Sequence, residues 1–241
     1  PGTSWAGSIA ACMEYPHNRP YTADDLVRII TLLRDPVNGC PWDKVQTHTS
    51  IRMNFLEEAY EAVDALDLDD PVLMCEELGD VLMQVAFHTC MEQETGRFTW
   101  EQVCDGVCQK LIERHPNIFG TQPGYEGITD WDALKNKEKG RRTLADDLES
   151  VPRAMPALMR AAKLQKRAAR HGAALQGADA AALADAAENL QTAQPASAQA
   201  EQAVGKLLFA AANLARQAGV DPEQALQKAN EAFCTAAGPV A

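Results

Sequence analysis

The 241-residue chain has no apolar run of about 18 residues, the length that a helix needs to cross a bilayer, so no membrane partner is predicted. It also has no CxxC pair among its seven cysteines, and free thiols in a reducing cytoplasm are the favoured interpretation. Aromatic residues make up only 6%, so the core is expected to be mainly aliphatic. Basic residues are scarce, and a formal net charge of −12 argues against a nucleic-acid partner.

The acidic excess lies in the first part of the chain. Residues 1–150 carry 27 acidic and 13 basic residues, whereas residues 151–241 carry 7 and 9. An acidic half is typical either of a solvated acidic surface or of a cation site, and composition alone leaves both interpretations open.

Helical periodicity dominates the sequence, and no segment alternates as a half-buried strand does. Ser50 is expected to cap a helix that runs to about Leu68, and Asp70-Pro71 has the pattern of a helix start. Two prolines and a glycine predict a rigid loop at 35–43. Further helices are predicted at 130–139, 153–170, 179–193, 200–218 and 222–236. The expected fold class is all-α, with helices antiparallel across short loops.

Four acidic residues stand out by their spacing. Glu58 and Glu61 lie three apart on one predicted helix, and Glu77 and Asp80 lie three apart on the next. Residues three apart are neighbours on a helix surface, and a turn at 67–71 makes the two helices antiparallel. The four carboxylates are therefore expected to meet across one seam.

Such a cluster needs a counter-charge. Like charges within a few ångströms disfavour ionisation, and a divalent cation removes that cost. Oxygen ligands without paired His or Cys favour Mg²⁺, with Mn²⁺ as the alternative. A solvated acidic face predicts Lys or Arg four residues after each acid, and none occurs. Gly79 costs about 1 kcal/mol inside a helix relative to Ala, and a tight helix–helix approach beside the site would explain it.

At these residues the chain resembles the MazG family. The matching segments are Leu33-Arg-Asp-Pro-Val-Asn-Gly-Cys-Pro-Trp-Asp-Lys44, Glu57-Glu-Ala-Tyr-Glu61, Glu76-Glu-Leu-Gly-Asp-Val-Leu-Met-Gln84, Lys110-Leu-Ile-Glu-Arg-His-Pro116 and Trp131-Asp-Ala-Leu-Lys135. The resemblance implies an all-α enzyme that cleaves an NTP or dNTP between the α- and β-phosphates, which yields a nucleoside monophosphate and pyrophosphate. It also implies a homodimer.

The resemblance assigns roles to particular residues. Mg²⁺ is expected on Glu58, Glu61, Glu77 and Asp80, where it polarises the α-phosphate and binds the attacking water. Glu57 is the candidate general base, and a surface carboxylate or an extra metal ligand is the alternative interpretation. The substrate-binding candidates are Lys110, Arg114 and Lys135 for the phosphates, and Trp42 and Trp131 for the base or sugar. For Trp42, core packing is an equal alternative.

The second half resembles a MazG module that has lost its chemistry. The first acidic motif is reduced to the single acid Glu188, and Lys206 falls where the seam should carry an Asp. Expected cations on the next helix are replaced by Ala232 and Ala236. We therefore expect tandem helical bundles, the second degenerate and retained for packing or dimerisation, with an altered ligand site as the alternative.

The domain boundaries follow from these patterns. Residues 1–20 are expected to be a disordered or cloning-derived leader, 21–140 the catalytic domain, 141–152 a linker and 153–241 the degenerate domain. The predicted function is Mg²⁺-dependent NTP pyrophosphohydrolysis at one site in the first half. The alternative is a weakly active or non-catalytic protein that binds nucleotides or dimerises.

Overall fold

The structure, a computed structural model, describes residues 20–116, 118–120, 140 and 143–238. These residues divide into two compact units, 20–120 and 140–238. The predicted leader, except Pro20, and the predicted helix at 130–139 lie outside the described residues.

Every regular element in the described ranges is helical, which confirms the all-α prediction. The first unit contains α1 (Ala23–Leu33), a short 3-10 helix (Asp43–Val45), α2 (His48–Leu68), α3 (Pro71–Glu94) and α4 (Trp100–Arg114). The second contains α5 (Leu144–Glu149), α6 (Ala157–Arg170), α7 (Ala180–Thr192), α8 (Ala198–Gln217) and α9 (Pro222–Ala237). None of the described helices is long and apolar enough to cross a bilayer.

Side-chain caps define where α2 and α3 begin. Thr47, not Ser50, caps α2: its hydroxyl oxygen accepts from the backbone N–H of Ser50, the third residue of the helix. The Ser50 hydroxyl oxygen in turn accepts from the backbone N–H of Thr47. The sequence prediction therefore placed this start one turn too late, because either hydroxyl suits a cap. Asp70 caps α3 as predicted, with Pro71 at the first helical position. Only residues 69 and 70 separate the two helices, so α2 and α3 pack as an antiparallel pair.

The core of the first unit forms where α1, α2 and α4 meet the second half of α3. Its largest buried side chains are Ile30, Ile51, Phe87, Met91 and Trp100. Full burial of such a side chain contributes roughly 1.5–3 kcal/mol. The first half of α3 lies outside this cluster, and it carries Glu77 and Asp80.

The second unit packs through small residues and buried hydrogen bonds. Helices α7 and α8 pack against each other, and the buried alanines Ala186, Ala203 and Ala210 let their backbones approach closely. Polar side chains reinforce this packing: Gln165 Nε2 donates to the Phe209 carbonyl oxygen at 2.7 Å, and Asn213 Nδ2 donates to the Ala178 carbonyl oxygen at 2.7 Å.

Helix α5 falls inside the stretch predicted to be a linker. Its Asp147 side chain is completely buried and accepts from Arg170 Nη2 at 2.7 Å and lies 3.1 Å from Arg167 Nη1. Both arginines belong to α6, so ion pairs of the buried Asp147 with the buried Arg167 and the exposed Arg170 connect this short helix to α6.

Candidate metal centre

Three carboxylates meet where α2 faces the first half of α3. One oxygen each of Glu58, Glu77 and Asp80 lies within 4.8 Å of the other two. Among the described residues, this is the one group of three or more acidic, His or Cys side chains close enough to share an ion. All three side chains are half-buried, so they remain accessible to a ligand.

Glu61 borders this cluster but is exposed and lies outside the group of three. It is nevertheless close enough for its charge to raise the pKa of both Glu58 and Glu77. The structure therefore brings the two predicted acidic pairs to one seam, with Glu61 at the edge.

Electrostatics makes this seam unfavourable without a counter-ion. Partial burial, followed by the negative charge of Asp80, raises the pKa of Glu58 above its usual value. Partial burial and the charges of Glu61, Glu76 and Asp80 raise the pKa of Glu77. No Lys or Arg of the described residues is ion-paired with any of these carboxylates. A cation would lower the pKa of both groups.

Gln84 is the site residue that the sequence analysis missed. It lies one turn after Asp80, and its Nε2 donates to Glu58 Oε1 at 3.4 Å. Its side chain is only 7% exposed, and its Oε1 has no hydrogen-bond partner among the described residues. Its position four residues after Asp80 places it on the same helix face, but the prediction of the cation site considered only acidic side chains.

The donor set fits a hard divalent cation. Carboxylate oxygens from three side chains and a nearby unpartnered amide carbonyl are ligands and supporting groups typical of Mg²⁺ or Mn²⁺ sites. No His or Cys belongs to the group, so its chemistry does not favour Zn²⁺.

The predicted general base and Trp42 both lie on the surface. Glu57 is exposed and is not a member of the carboxylate group. Trp42 is 57% exposed, so the structure places it outside the core. Arg34 anchors the segment that follows Trp42: its Nη1 donates to the carbonyl oxygens of Asp43 at 2.8 Å and Gln46 at 3.2 Å.

The predicted phosphate-binding cations differ in their surroundings. Lys110 is exposed on α4, whereas Arg114, one turn later, is only 8% exposed. A single helix face therefore does not present both cations equally. Trp131 and Lys135 lie outside the described residues.

The explanation predicted for Gly79 is wrong within this chain. A Cβ added at Gly79 would meet no described atom within 4 Å, so no neighbouring helix comes close there. The residue lies on an open face of α3, and the close approach expected beside the site is not made by the described chain.

His48 and His88 form a packed pair behind the seam. Their Nδ1 atoms lie 2.7 Å apart, and His48 Nε2 lies 2.5 Å from Glu92 Oε1. Burial, then the neighbouring His48, lowers the pKa of His88, while Glu92 opposes the shift. This pair connects the start of α2 to α3. Among the described residues, neither ring contacts Glu58, Glu77 or Asp80.

The second unit has a cleft between two consecutive helices that carries a cationic side chain. A cleft of about 1360 Å³ lies between α7 and α8, and its lining includes Asp185, Asn189 and Lys206. An ammonium group in such a seam repels a divalent cation.

The fold and site together define a class: all-helical proteins with a carboxylate seam between two consecutive helices. Residues 46–119 match the family model described as MazG nucleotide pyrophosphohydrolase domain, a range that spans α2, α3 and α4. A nucleoside triphosphate pyrophosphohydrolase of Escherichia coli K12 is 41% identical over 219 residues, which cover 87% of this chain and 83% of the relative.

Two further relatives extend this similarity. A nucleoside triphosphate pyrophosphohydrolase/pyrophosphatase MazG of Thermotoga maritima is 39% identical over 212 residues, or 87% of this chain and 82% of the relative. A nucleoside triphosphate pyrophosphohydrolase of Mycobacterium tuberculosis is 35% identical over 151 residues, or 61% of this chain and 46% of the relative. The chain therefore belongs to the MazG family and is a hydrolase.

Proposed function

We propose that the chain hydrolyses nucleoside triphosphates, ribo- or deoxyribo-, to the nucleoside monophosphate and pyrophosphate, with Mg²⁺ as cofactor and Mn²⁺ as substitute. The observation that carries the proposal is the group of Glu58, Glu77 and Asp80, with oxygens within 4.8 Å of one another. The names of the relatives from E. coli and T. maritima support the reaction.

The carboxylates hold the cation in this scheme. A bound Mg²⁺ supplies a Lewis acid for the α-phosphate and lowers the pKa of a coordinated water. Glu58, Glu77 and Asp80 are the ligands, and the adjacent Glu61 is the fourth. Glu57 is exposed and outside the group, which supports its role as the non-ligand base that takes the proton of the attacking water.

The substrate contacts come from the elements around the seam. Lys110 and Arg114 of α4, together with Lys135, are proposed to neutralise the triphosphate, which Arg can bind in bidentate fashion. Trp42 and Trp131 are proposed to contact the base or sugar. The exposed ring of Trp42, on a loop anchored through Arg34, supports this role over core packing.

We assign a single active site, in the first unit. The second unit is proposed to be a degenerate MazG-like module, since Lys206 lines its α7–α8 cleft. The alternative function is that of a weakly active or non-catalytic protein that binds nucleotides or dimerises. Lys206 favours it if the second unit carries the main active site in this family, because that site would then be lost here.

The proposed assembly is a homodimer. The α2–α3 pair exposes large apolar side chains, which include Tyr60, Val63, Leu66, Leu78 and Leu82. Leu78 and Leu82 lie one turn apart on α3, and each is more than 40% exposed. Large apolar side chains exposed on one helix pair are typical of an interface, and a second copy is proposed to cover them.

The decisive experiment separates chemistry from binding. The full chain is incubated with Mg²⁺ and each NTP and dNTP in ¹⁸O-water, and the products are identified by ³¹P NMR. We expect monophosphate and pyrophosphate, with ¹⁸O on the monophosphate because water attacks the α-phosphorus. Release of inorganic phosphate, or ¹⁸O on the pyrophosphate, contradicts the proposed reaction.

Two variants then divide the roles of the acids. Glu61→Ala is expected to weaken Mg²⁺ binding, so that more Mg²⁺ is needed for half-maximal turnover, and to lower turnover. Glu57→Gln is expected to lower kcat about 10²–10⁴-fold without weakening cation binding. No turnover in the parent chain with any nucleotide would favour the non-catalytic alternative. Undiminished turnover in both variants would contradict the roles proposed for Glu57 and Glu61.

A further inference from the structure

We propose that Gln84 is a positioning residue of the metal centre, which holds the Glu58 carboxylate in the orientation that binds the cation. This inference rests on the proposed function, because it needs a cation at the carboxylate group. Gln84 itself is not proposed as a catalytic residue or as a ligand.

The first observation is the contact across the seam. Gln84 belongs to α3 and Glu58 to α2, and the amide Nε2 donates to Glu58 Oε1 at 3.4 Å. A carboxylate has two oxygens and rotates about its terminal bond. A donor fixed to one oxygen restrains that rotation and leaves the other oxygen to bind the cation together with Glu77 and Asp80.

The second observation is that the amide is a poor choice for packing alone. Gln84 is 7% exposed, and its Oε1 is buried without a partner among the described residues. A buried acceptor without a partner is destabilising, whereas an apolar side chain of the same shape would leave no such atom. The position therefore keeps a polar group at some cost to stability, and its recorded contact is with the carboxylate group.

The third observation comes from the second unit. In the alignment of the two halves proposed from the sequence, Gly205-Lys206 corresponds to Gly79-Asp80, and Ala210 stands one turn later, where α3 has Gln84. Ala210 is completely buried in α8. Where the acid of the seam is replaced by a cation, the amide is absent as well, as expected if its purpose is to orient a ligand carboxylate.

The test uses the full chain, Mn²⁺ as the probe and no nucleotide. Binding of Mn²⁺ is measured by electron paramagnetic resonance, and thermal unfolding is measured in EDTA. Gln84→Met keeps the shape and removes the donor. We expect its Mn²⁺ affinity to fall about 10–100-fold, while its melting temperature in EDTA stays equal to that of the parent or rises.

The matched control is Gln109→Met on α4. Gln109 also donates from Nε2 to a carboxylate, Asp105 Oδ2 at 2.6 Å, but away from the seam. This variant is expected to bind Mn²⁺ as the parent does. If Gln84→Met does not fold, Gln84→Asn, which keeps an amide but shortens its reach, must show the same loss of affinity.

The outcomes separate the two proposals. If the parent binds Mn²⁺ and a folded Gln84 variant binds it equally well, the positioning role is overturned and the metal centre stands. A lower melting temperature with unchanged affinity assigns Gln84 to packing and also overturns it. If the parent binds no Mn²⁺, the proposed metal centre fails with the inference.

Discussion

Asp80→Asn should change the stability of the chain in opposite directions with and without a divalent cation. Without one, the substitution removes a negative charge that faces Glu58 within 4.8 Å. With one, it removes a proposed ligand. A single isosteric change therefore tests both the repulsion in the seam and the binding that is meant to relieve it.

The magnitudes follow from the geometry. Two unit charges about 4.8 Å apart repel by about 1 kcal/mol in water-like screening, which suits half-exposed groups. In a domain of about 100 residues, 1 kcal/mol corresponds to about 4–8 °C in Tm. A cation at about 100 times its Kd stabilises by about 2.7 kcal/mol, so the parent should gain more than about 10 °C.

The assay is calorimetric unfolding in EDTA and again in saturating Mg²⁺. Asp80→Asn should melt above the parent in EDTA and lose most of the rise that Mg²⁺ gives the parent. Asp185→Asn, which removes a carboxylate from the α7–α8 cleft, is the matched control and should keep that rise. A lower Tm for Asp80→Asn in EDTA, or an undiminished Mg²⁺ shift, refutes the reasoning.

Three further predictions concern the first unit. The pKa of His88 is lowered in the folded chain from its usual 6.5, so the unfolded chain binds more protons just below that pH. The free energy of unfolding, measured in urea, should therefore fall as the pH drops below 6.5, and His88→Phe should make it less dependent on pH. Gly39→Ala should destabilise the chain by about 1–3 kcal/mol, because its Cβ would lie 2.4 and 2.5 Å from backbone carbonyl oxygens. Gly79→Ala should stabilise it by about 1 kcal/mol in the same urea titration. A free energy of unfolding that is higher for Gly39→Ala than for Gly79→Ala would contradict the described packing. Arg34→Met should cost about 1–3 kcal/mol, because it leaves the Asp43 and Gln46 carbonyl oxygens and the Glu94 carboxylate without their donor. It should also speed proteolysis of residues 35–46. Arg28→Met, at an exposed position, is the control, and equal effects of both substitutions would contradict the anchoring role of Arg34.

Local signals made most of the fold predictable. Capping and periodicity are properties of a few adjacent residues, so the start of α3 at Asp70-Pro71 and the helices of the second unit were predicted within a few residues. Thr47 and Ser50 show the limit of such signals, since both hydroxyls suit a cap and only the folded backbone decides which residue takes that role. Helix α5 was missed because six residues give too little periodicity to read.

The same distinction between local signals and tertiary packing applies to the predictions about the site. The i, i+3 spacing of the acids predicted the grouping of Glu58, Glu77 and Asp80, because that grouping depends only on helix geometry and one short turn. The Gln84 contact and the open space beside Gly79 depend on how two helices pack, which spacing does not determine. The difference in burial between Lys110 and Arg114 is tertiary in the same sense.

The most direct test of the central claim is a crystal structure of the chain with Mn²⁺, read by anomalous scattering. The account predicts a peak coordinated by carboxylate oxygens of Glu58, Glu77 and Asp80, with Gln84 still contacting Glu58. Saturating Mn²⁺ with no peak at this seam, or a peak in the α7–α8 cleft instead, would contradict it.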